Sequence, residues 1–303
     1  MKRIRGVALI TAILITALAA SVAAALAWDN ALDVRRTIVL LNRDQAIQVA
    51  LGAENWIASI LVDDLNDSPT DHLDEIWAQE LPGLPIDGGD VWGRIEDMQG
   101  RFNINNLIDE AGEIDEEMLE QFRRLLAALQ LDPRFAGLAA DWIDADLDAS
   151  FPDGAEDSIY TSFTPPYRVP NRRISSVSEL MGLEGMDKAT FDILAPHIVA
   201  LPQRTTINVN TATPAVLQSL DETYTASDVE RIIGERENGG FVDLETTFEA
   251  LKGKPIFNQI DETTNYFQLL VVVRIDNVRI TYYSLLQRGP GSAAPILRSF
   301  GTI

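Results

Sequence analysis

Cysteine is absent from this 303-residue chain, and histidine occurs only twice, as His72 and His197. Without cysteine no disulfide can staple the fold, which in an exported protein raises the expectation of another cross-link, such as a metal ion. The two histidines stand too far apart in sequence to read as a metal-binding pair and are read as structural or surface residues. Basic residues are scarce: 24 Lys and Arg face 46 Asp and Glu, a formal net charge of −22. Such a chain repels nucleic acid and anionic lipid. Its length leaves room for one large or two ordinary domains with a proper core.

Charge is missing altogether between Gly6 and Trp28, just after Lys2, Arg3 and Arg5. The apolar run from Val7 to Trp28 has about the length a helix needs to cross a bilayer, roughly 20 residues at about 1.5 Å each. A secretory signal has this basic start but an apolar region of only about 7–15 residues before a small-residue cleavage site, a role open to Ala23 to Ala27. A simple anchor would hold its basic N-terminus in the cytoplasm. Proline is missing from Asp29 to Val62, where Leu32, Ile38, Leu41, Ile47, Leu51, Ile57 and Leu61 recur at near-helical spacing. The apolar helix is therefore expected to continue into an amphipathic one.

This order of basic peptide, Gly6, apolar helix and amphipathic helix resembles the leader and spine of type IV pilins and type II secretion pseudopilins. The resemblance implies cleavage by a prepilin peptidase after Gly6 and methylation of Val7. At the fifth mature position most pilins carry Glu, which in the family pairs with the amino terminus of the neighbour above; here Thr11 stands there. Lack of that Glu marks the K-type minor pseudopilins, the GspK family.

Asp63 to Asp90 is punctuated by Pro69, Pro82, Pro85 and Gly88-Gly89 and reads as loops and turns around a short helix near Leu73 to Trp77. Residues 91–107, VWGRIEDMQGRFNINNL, read as a β-hairpin about Gly100. Within them GRFNINNL resembles a segment of K pseudopilins, and Asn103, Asn105 and Asn106 are expected to satisfy turn backbone through their side chains. Helical periodicity returns from Asp115 to Gln130 and, after Pro133, from Phe135 to Ile143.

Residues 141–157, DWIDADLDASFPDGAED, hold Asp141, Asp144, Asp146, Asp148, Asp153, Glu156 and Asp157 without one basic residue. Such a run reads either as a solvated face or as a cation site. The interleaved Trp142, Ile143, Leu147 and Phe151 imply partial burial, where clustered carboxylates repel unless something positive lies between them. Ca2+ suits the segment, because it takes about 6–8 oxygen ligands and tolerates irregular loops, whereas Mg2+ prefers few carboxylates and retained waters. An EF-hand is excluded, since its glycine would fall on Ala149 and its final glutamate on Ala155. The longer stretch Asp141 to Asn171 resembles the calcium-binding segment of K pseudopilins. That resemblance implies Asp144, Asp146, Glu156 and Asp157 as carboxylate ligands, with Asp141, Asp148 and Asn171 as further candidates. A glycosidase pair of acids lacks an identifiable sugar-stacking cleft, and a metal-dependent nuclease or phosphatase has only Arg168, Arg172 and Arg173 to offer phosphate.

SSVSEL at Ser175 to Leu180 opens with a capping-box spacing, Ser176 to Glu179, and Thr213-Pro214 is an N-cap followed by an N1 proline. Further helices are expected to His197, over Pro214 to Leu220, Ala226 to Glu237 and Leu244 to Leu251. INVNTATPAVLQSL with VERIIGEREN resembles a helix-hairpin-helix module, but Asp221, Glu222, Asp228, Glu230, Glu235 and Glu237 surround it, so phosphate affinity is expected to be poor. After Pro255, residues 266–275, 279–288 and 294–300 read as antiparallel strands.

The expected fold is α+β: a long N-terminal helix packed on an antiparallel sheet, with a large inserted all-α domain containing helix-hairpin-helix-like elements. The expected division is a leader over 1–6, a transmembrane part over 7–28, a head over 29–107 resumed at 256–303, and the insert over 108–255. By resemblance the chain is a non-enzymatic minor pseudopilin of the K type, single-pass in the bacterial inner membrane with a periplasmic head. The family places it at the pseudopilus tip with the I and J minor pseudopilins above the H-type subunit, helping to start assembly, and without nucleic acid as partner. A membrane-tethered helix-hairpin-helix DNA-uptake protein is the alternative.

Overall fold

The computed structural model describes residues 7–237 and 239–301; the leader expected over 1–6, with Gly6, lies outside them. A single helix, α1 (Val7–Asp67), forms the spine, and its 61 residues extend about 90 Å at 1.5 Å per residue. Val7 to Trp28 is exposed along its whole length. Burial begins at Ala46 and follows one stripe, Ala46, Ala50, Glu54, Ile57 and Leu61. Steps of three and four residues put these side chains on one helix face, and the two alanines let α1 lie close to the sheet beneath.

Strands β1 (Leu81–Ile86) and β2 (Gly89–Asp97) form a hairpin closed by Asp87-Gly88. Asp-Gly between two extended runs is a two-residue hairpin signal, so strand structure begins inside the segment expected to be loop. A short β3 (Phe102–Asn103) follows, then α2 (Glu116–Ala128), α3 (Arg134–Ile143), α4 (Asp157–Tyr160) and α5 (Lys188–Leu194). Next come β4 (Ile198–Val199), β5 (Ile207–Asn208), α6 (Pro214–Ser219), α7 (Ala226–Arg236), α8 (Leu244–Thr247) and β6 (Ile260–Asp261). The chain ends in β7 (Tyr266–Ile275), β8 (Val278–Gly289) and β9 (Ser292–Phe300). The main sheet is antiparallel throughout, in the order β1-β2-β7-β8-β9. Its inner face packs Leu269, Val271, Val273, Tyr282 and Leu286 against the buried stripe of α1.

The expected hairpin about Gly100 does not form. β2 pairs on one side with β1 and on the other with β7, while Phe102-Asn103 leaves the sheet and pairs in parallel with Ile198-Val199. Gly100 serves a close approach instead: a Cβ there would stand 2.8 Å from the backbone oxygen of Thr211. The inserted region is accordingly wider than 108–255 and not purely helical, because β3 with β4 and β5 with β6 add two short parallel pairings. One continuous core fills it, with Phe102 stacked on Phe122 at 5.2 Å and Trp142 edge-on to Tyr160 at 5.3 Å.

Buried asparagines clasp this region. Asn103 donates to the carbonyl of Gln203, Asn105 to those of Ile174 and Leu201, and Asn106 to that of Thr205. Their side-chain oxygens accept in return from the amides of Leu201, Ile174 and Thr205. Each amide side chain thus pairs with loop backbone about a hundred residues away, satisfying groups that no strand partners. Asn208 and Asn210 repeat the device, bridging Asp71 to Asp97 and holding the backbone of Phe241.

Candidate metal centre

Helix α3 delivers the acidic segment into the core. It begins after Pro133, buries Phe135 to Ile143, and ends at Asp144. The loop that follows doubles back onto the helix. Ser150 N donates to Asp141 Oδ2 at 3.0 Å and Gly154 N to Ser150 O at 2.7 Å. Only glycine fits at 154, since a Cβ would sit 2.1 Å from Asp141 Oδ2. Trp142, Tyr160 and Tyr167 brace the base of the loop, with Tyr167 OH donating to Gly182 O at 2.7 Å.

This folding brings Asp144, Asp146 and Glu156 together, one carboxylate oxygen of each lying within 4.8 Å of the others. Two of the three are buried, Asp144 at 2% and Glu156 at 3% exposure, while Asp146 reaches in from the surface. Asp141 is wholly buried close by. Asp144 Oδ1, both oxygens of Glu156, Asp141 Oδ1 and Asn171 Oδ1 accept no hydrogen bond. Among the described residues no Lys or Arg pairs with Asp141, Asp144, Asp146 or Glu156. Burial, then the charges of Asp141 and Asp146, pushes the Asp144 carboxyl up to about 7. Burial and Asp141 do the same to Glu156, also to about 7, and burial raises Asp141.

The other candidates take different positions. Asp157 caps nothing in the triad: its Oδ1 accepts from Val169 N at 3.1 Å and its Oδ2 lies 3.6 Å from the exposed Arg168. Asp148 is exposed, and its amide donates to Asp146 Oδ1 at 2.7 Å. Asn171, in the left-handed region at φ 44°, donates to the carbonyl of Asp146 and so ties the far end of the segment to the triad. His72 and His197 stand apart from these acids; His197 Nδ1 lies 2.8 Å from Thr213 Oγ1, and His72 Nε2 lies 3.7 Å from Glu75 Oε1.

A second carboxylate group escaped the sequence reading. Asp64, Asp71 and Glu75 converge at the end of α1, from a stretch read as loop. They already enclose a cation: Arg288, 2% exposed, pairs with Asp71 and with Asp64 at 3.0 Å, and donates to Leu61 O and Thr264 O. Two acids far apart from an arginine 217 residues later leave no local pattern to find.

The oxygen-only donor set of the triad fits a hard divalent cation. Two oxygens on one Ca2+ at about 2.3–2.6 Å lie at most about 5.2 Å apart, which the observed spacing satisfies. Unpaired buried carboxylates carry a desolvation cost of several kcal/mol unless they protonate or meet a positive charge. Asp144, Glu156 and Asp146 would hold such an ion, with Asp141 and Asn171 beside them.

The sequence matches family models for type II secretion system (T2SS) protein K over residues 100–203 and 207–266. A type II secretion system protein K from Pseudomonas aeruginosa is 36% identical over 298 residues, covering 94% of this chain and 89% of the relative. The chain belongs to the protein K family. The Klebsiella pneumoniae member is 30% identical over 322 residues, with 99% of this chain and 97% of the relative covered. A crystal structure of the GspK-GspI-GspJ complex from enterotoxigenic Escherichia coli contains a chain of the same fold, with TM-score 0.77, 24% identity, and coverage of 88% of this chain and 100% of that one. The chain is therefore a minor pseudopilin of the type II secretion system, and nothing in these likenesses supports the DNA-uptake alternative. Its relatives are named for a secretion apparatus rather than a reaction, consistent with a non-enzymatic protein, and the apolar start of α1 is consistent with an inner-membrane anchor.

Proposed function

We propose that this family member caps the pseudopilus, assembling with I and J minor pseudopilins above an H-type subunit and helping to start the filament. The observation that carries the tip position is where the insert sits. The chain leaves the sheet at Asp97 and returns at Tyr266, beside the end of α1, where Asn208 ties Asp97 to Asp71 and Arg288 ties Asp71 to Asp64. A domain of this bulk on the distal end of the spine obstructs a further subunit above it. Thr11 agrees with that position, because its hydroxyl is satisfied by Val7 O and Ala8 O of its own helix and asks nothing of a neighbour. The GspI and GspJ chains that accompany GspK in the E. coli complex support the choice of partners.

In this reading a prepilin peptidase cuts after Gly6, Val7 becomes the methylated N-terminus, and the chain crosses the inner membrane once with its head in the periplasm. The acidic loop holds Ca2+ through Asp144, Asp146 and Glu156, and the ion replaces the missing disulfides as a cross-link between α3, the loop and α4. Co-purification of the full chain with its I and J subunits tests the assembly: a ternary complex is expected, and it should survive Thr11→Glu unchanged. Incorporation of the Thr11→Glu protein along the filament shaft overturns the tip position.

A further inference from the structure

The two edges of the main sheet are closed unequally. On one side β1 carries Pro82 and Pro85, which have no N–H to offer another strand. On the other, β9 has only Pro295, near its start. The register beyond that proline fixes which backbone groups face outward. Gly301 N donates to Thr281 O, so the hydrogen-bonded pairs of β8 and β9 are Thr281 with Gly301, Tyr283 with Ser299 and Leu285 with Leu297. Such pairs alternate along an antiparallel ladder with pairs whose backbone groups turn away, here those of Arg298 and Phe300. Their N–H and C=O groups point off the sheet, and among the described residues no hydrogen bond reaches them from beyond β9. A charged side chain is the usual guard of an open edge. Arg298 is drawn instead onto Glu54, at 2.6 Å on the inner face.

A cleft of about 310 Å³ lies beside this strand on the outer face of the sheet. Leu285 and Leu297 line it from the sheet, and Val177, Phe191 and Ile198 from the inserted region. Side chains alternate along a strand, so a segment laid against β9 would direct every second residue to the outer face, beside Leu297 at the cleft. The residues between them would stand on the inner face beside Arg298, whose side chain is half exposed.

We propose that the Arg298 and Phe300 edge takes up an extended segment of a partner protein as a sixth strand. That segment is apolar where it faces the cleft and carries an acid beside Arg298. The open backbone selects the strand, while the cleft and Arg298 select its side chains. A helix bonds its amides within itself and cannot complete the row. A second copy of this chain would bring a net charge of −22 against the same charge. The proposal needs neither the calcium site nor the tip position.

The test separates backbone from side chain. Phe300→Pro removes one outward amide, whereas Phe300→Ala keeps it; both lose the ring contact with Tyr282. With each variant in a functioning type II secretion system, export into the medium should fall about tenfold for the proline and stay near wild type for the alanine. Hydrogen exchange on the wild-type full chain in detergent gives a second readout. The acetylated peptide Val-Thr-Val-Asp-Val-Thr-Val, at millimolar concentration, should slow exchange at Arg298 and Phe300 and leave the β1 edge unchanged. The same peptide N-methylated at every residue should slow neither. Wild-type export from Phe300→Pro overturns the proposal, as does an equal fall with both variants. So do absent protection, equal protection by the methylated peptide, or a dimer of the chain that Phe300→Pro abolishes.

Discussion

Glu54 and Glu156 are the same residue, buried to nearly the same degree, in opposite electrical situations. Glu54 lies at 1% exposure in the middle of α1, facing β8 and β9. Tyr282 OH and Ser284 Oγ donate to it, and Arg298 adds bonds of 3.0 and 2.6 Å. Burial pushes its carboxyl up, but Arg298, Ser284 and Tyr282 together outweigh that and hold it below the usual range. Glu156, at 3% exposure, has neither a hydrogen bond nor an arginine, and its carboxyl rises to about 7. The head supplies Glu54 with protein donors, whereas the acidic loop of the inserted region leaves Asp144 and Glu156 open to an outside cation. The Asp64, Asp71 and Glu75 group falls between the two: Arg288 fills it, yet burial still raises Asp71 and pushes Asp64 up to about 7.

The largest test of this contrast removes the satisfied acid. Glu54→Ala should cost about 3 kcal/mol, the lower end for breaking a buried pair, because Arg298 is half exposed and can turn to water. Urea unfolding of the detergent-solubilised chain should show this loss equally with calcium and with chelator. Removing calcium comes next. At 100 times its dissociation constant a ligand stabilises by about 2.7 kcal/mol, so chelator should lower the melting temperature by about 5–10 °C at about 2–4 °C per kcal/mol. An unchanged melt would mean that the triad binds no calcium.

Glu156→Gln should then do the opposite of Glu54→Ala in chelator, raising the melting temperature by a few degrees while abolishing the calcium shift. A drop in chelator would mean that Glu156 has a protein partner after all. pH gives a gentler version. In chelator the folded chain keeps protons on Asp144 and Glu156 up to about pH 7, whereas unfolded carboxyls lose them near pH 4. The folded state thus binds more protons across that window, and stability falls as pH rises through it. The chelated protein should melt higher at pH 5.5 than at pH 8, and the calcium-induced shift should be largest at pH 8 and shrink on acidification. Asp64, likewise raised to about 7, adds the same slope with and without calcium and cancels in the difference. The smallest effect is that of Thr225→Ala, which removes a capping box at the surface start of α7 and should cost about 1 kcal/mol, without moving the calcium response.

Much of the fold was legible because its signals are local. The spine shows as an uninterrupted apolar and then amphipathic run, the last three strands as alternation between turns, and the capping box at Ser176 as a spacing that the structure reproduces. Asp144, Asp146 and Glu156 were within reach because the family resemblance falls on one short segment that holds all three, and the structure brings their carboxylates together. What failed was long-range. Gly100 looked like a hairpin turn because nothing nearby reveals that Thr211 passes over it, and Asp87-Gly88, the true turn, was lost among prolines. Asp157 looked equivalent to Glu156 until the backbone amide of Val169 claimed it.

The pairing of β2 with β7 has a last consequence. Asp97 and Phe267 are register partners on adjacent strands, so the two ends of a region nearly 170 residues long emerge side by side, about 5 Å apart. For the sheet, the whole inserted domain is topologically no more than a hairpin loop. A lineage could exchange or enlarge it without altering a single strand crossing, and an engineer could replace residues 98–265 with a short turn to obtain a minimal pilin that keeps its spine, its Glu54 lock and its five-stranded order.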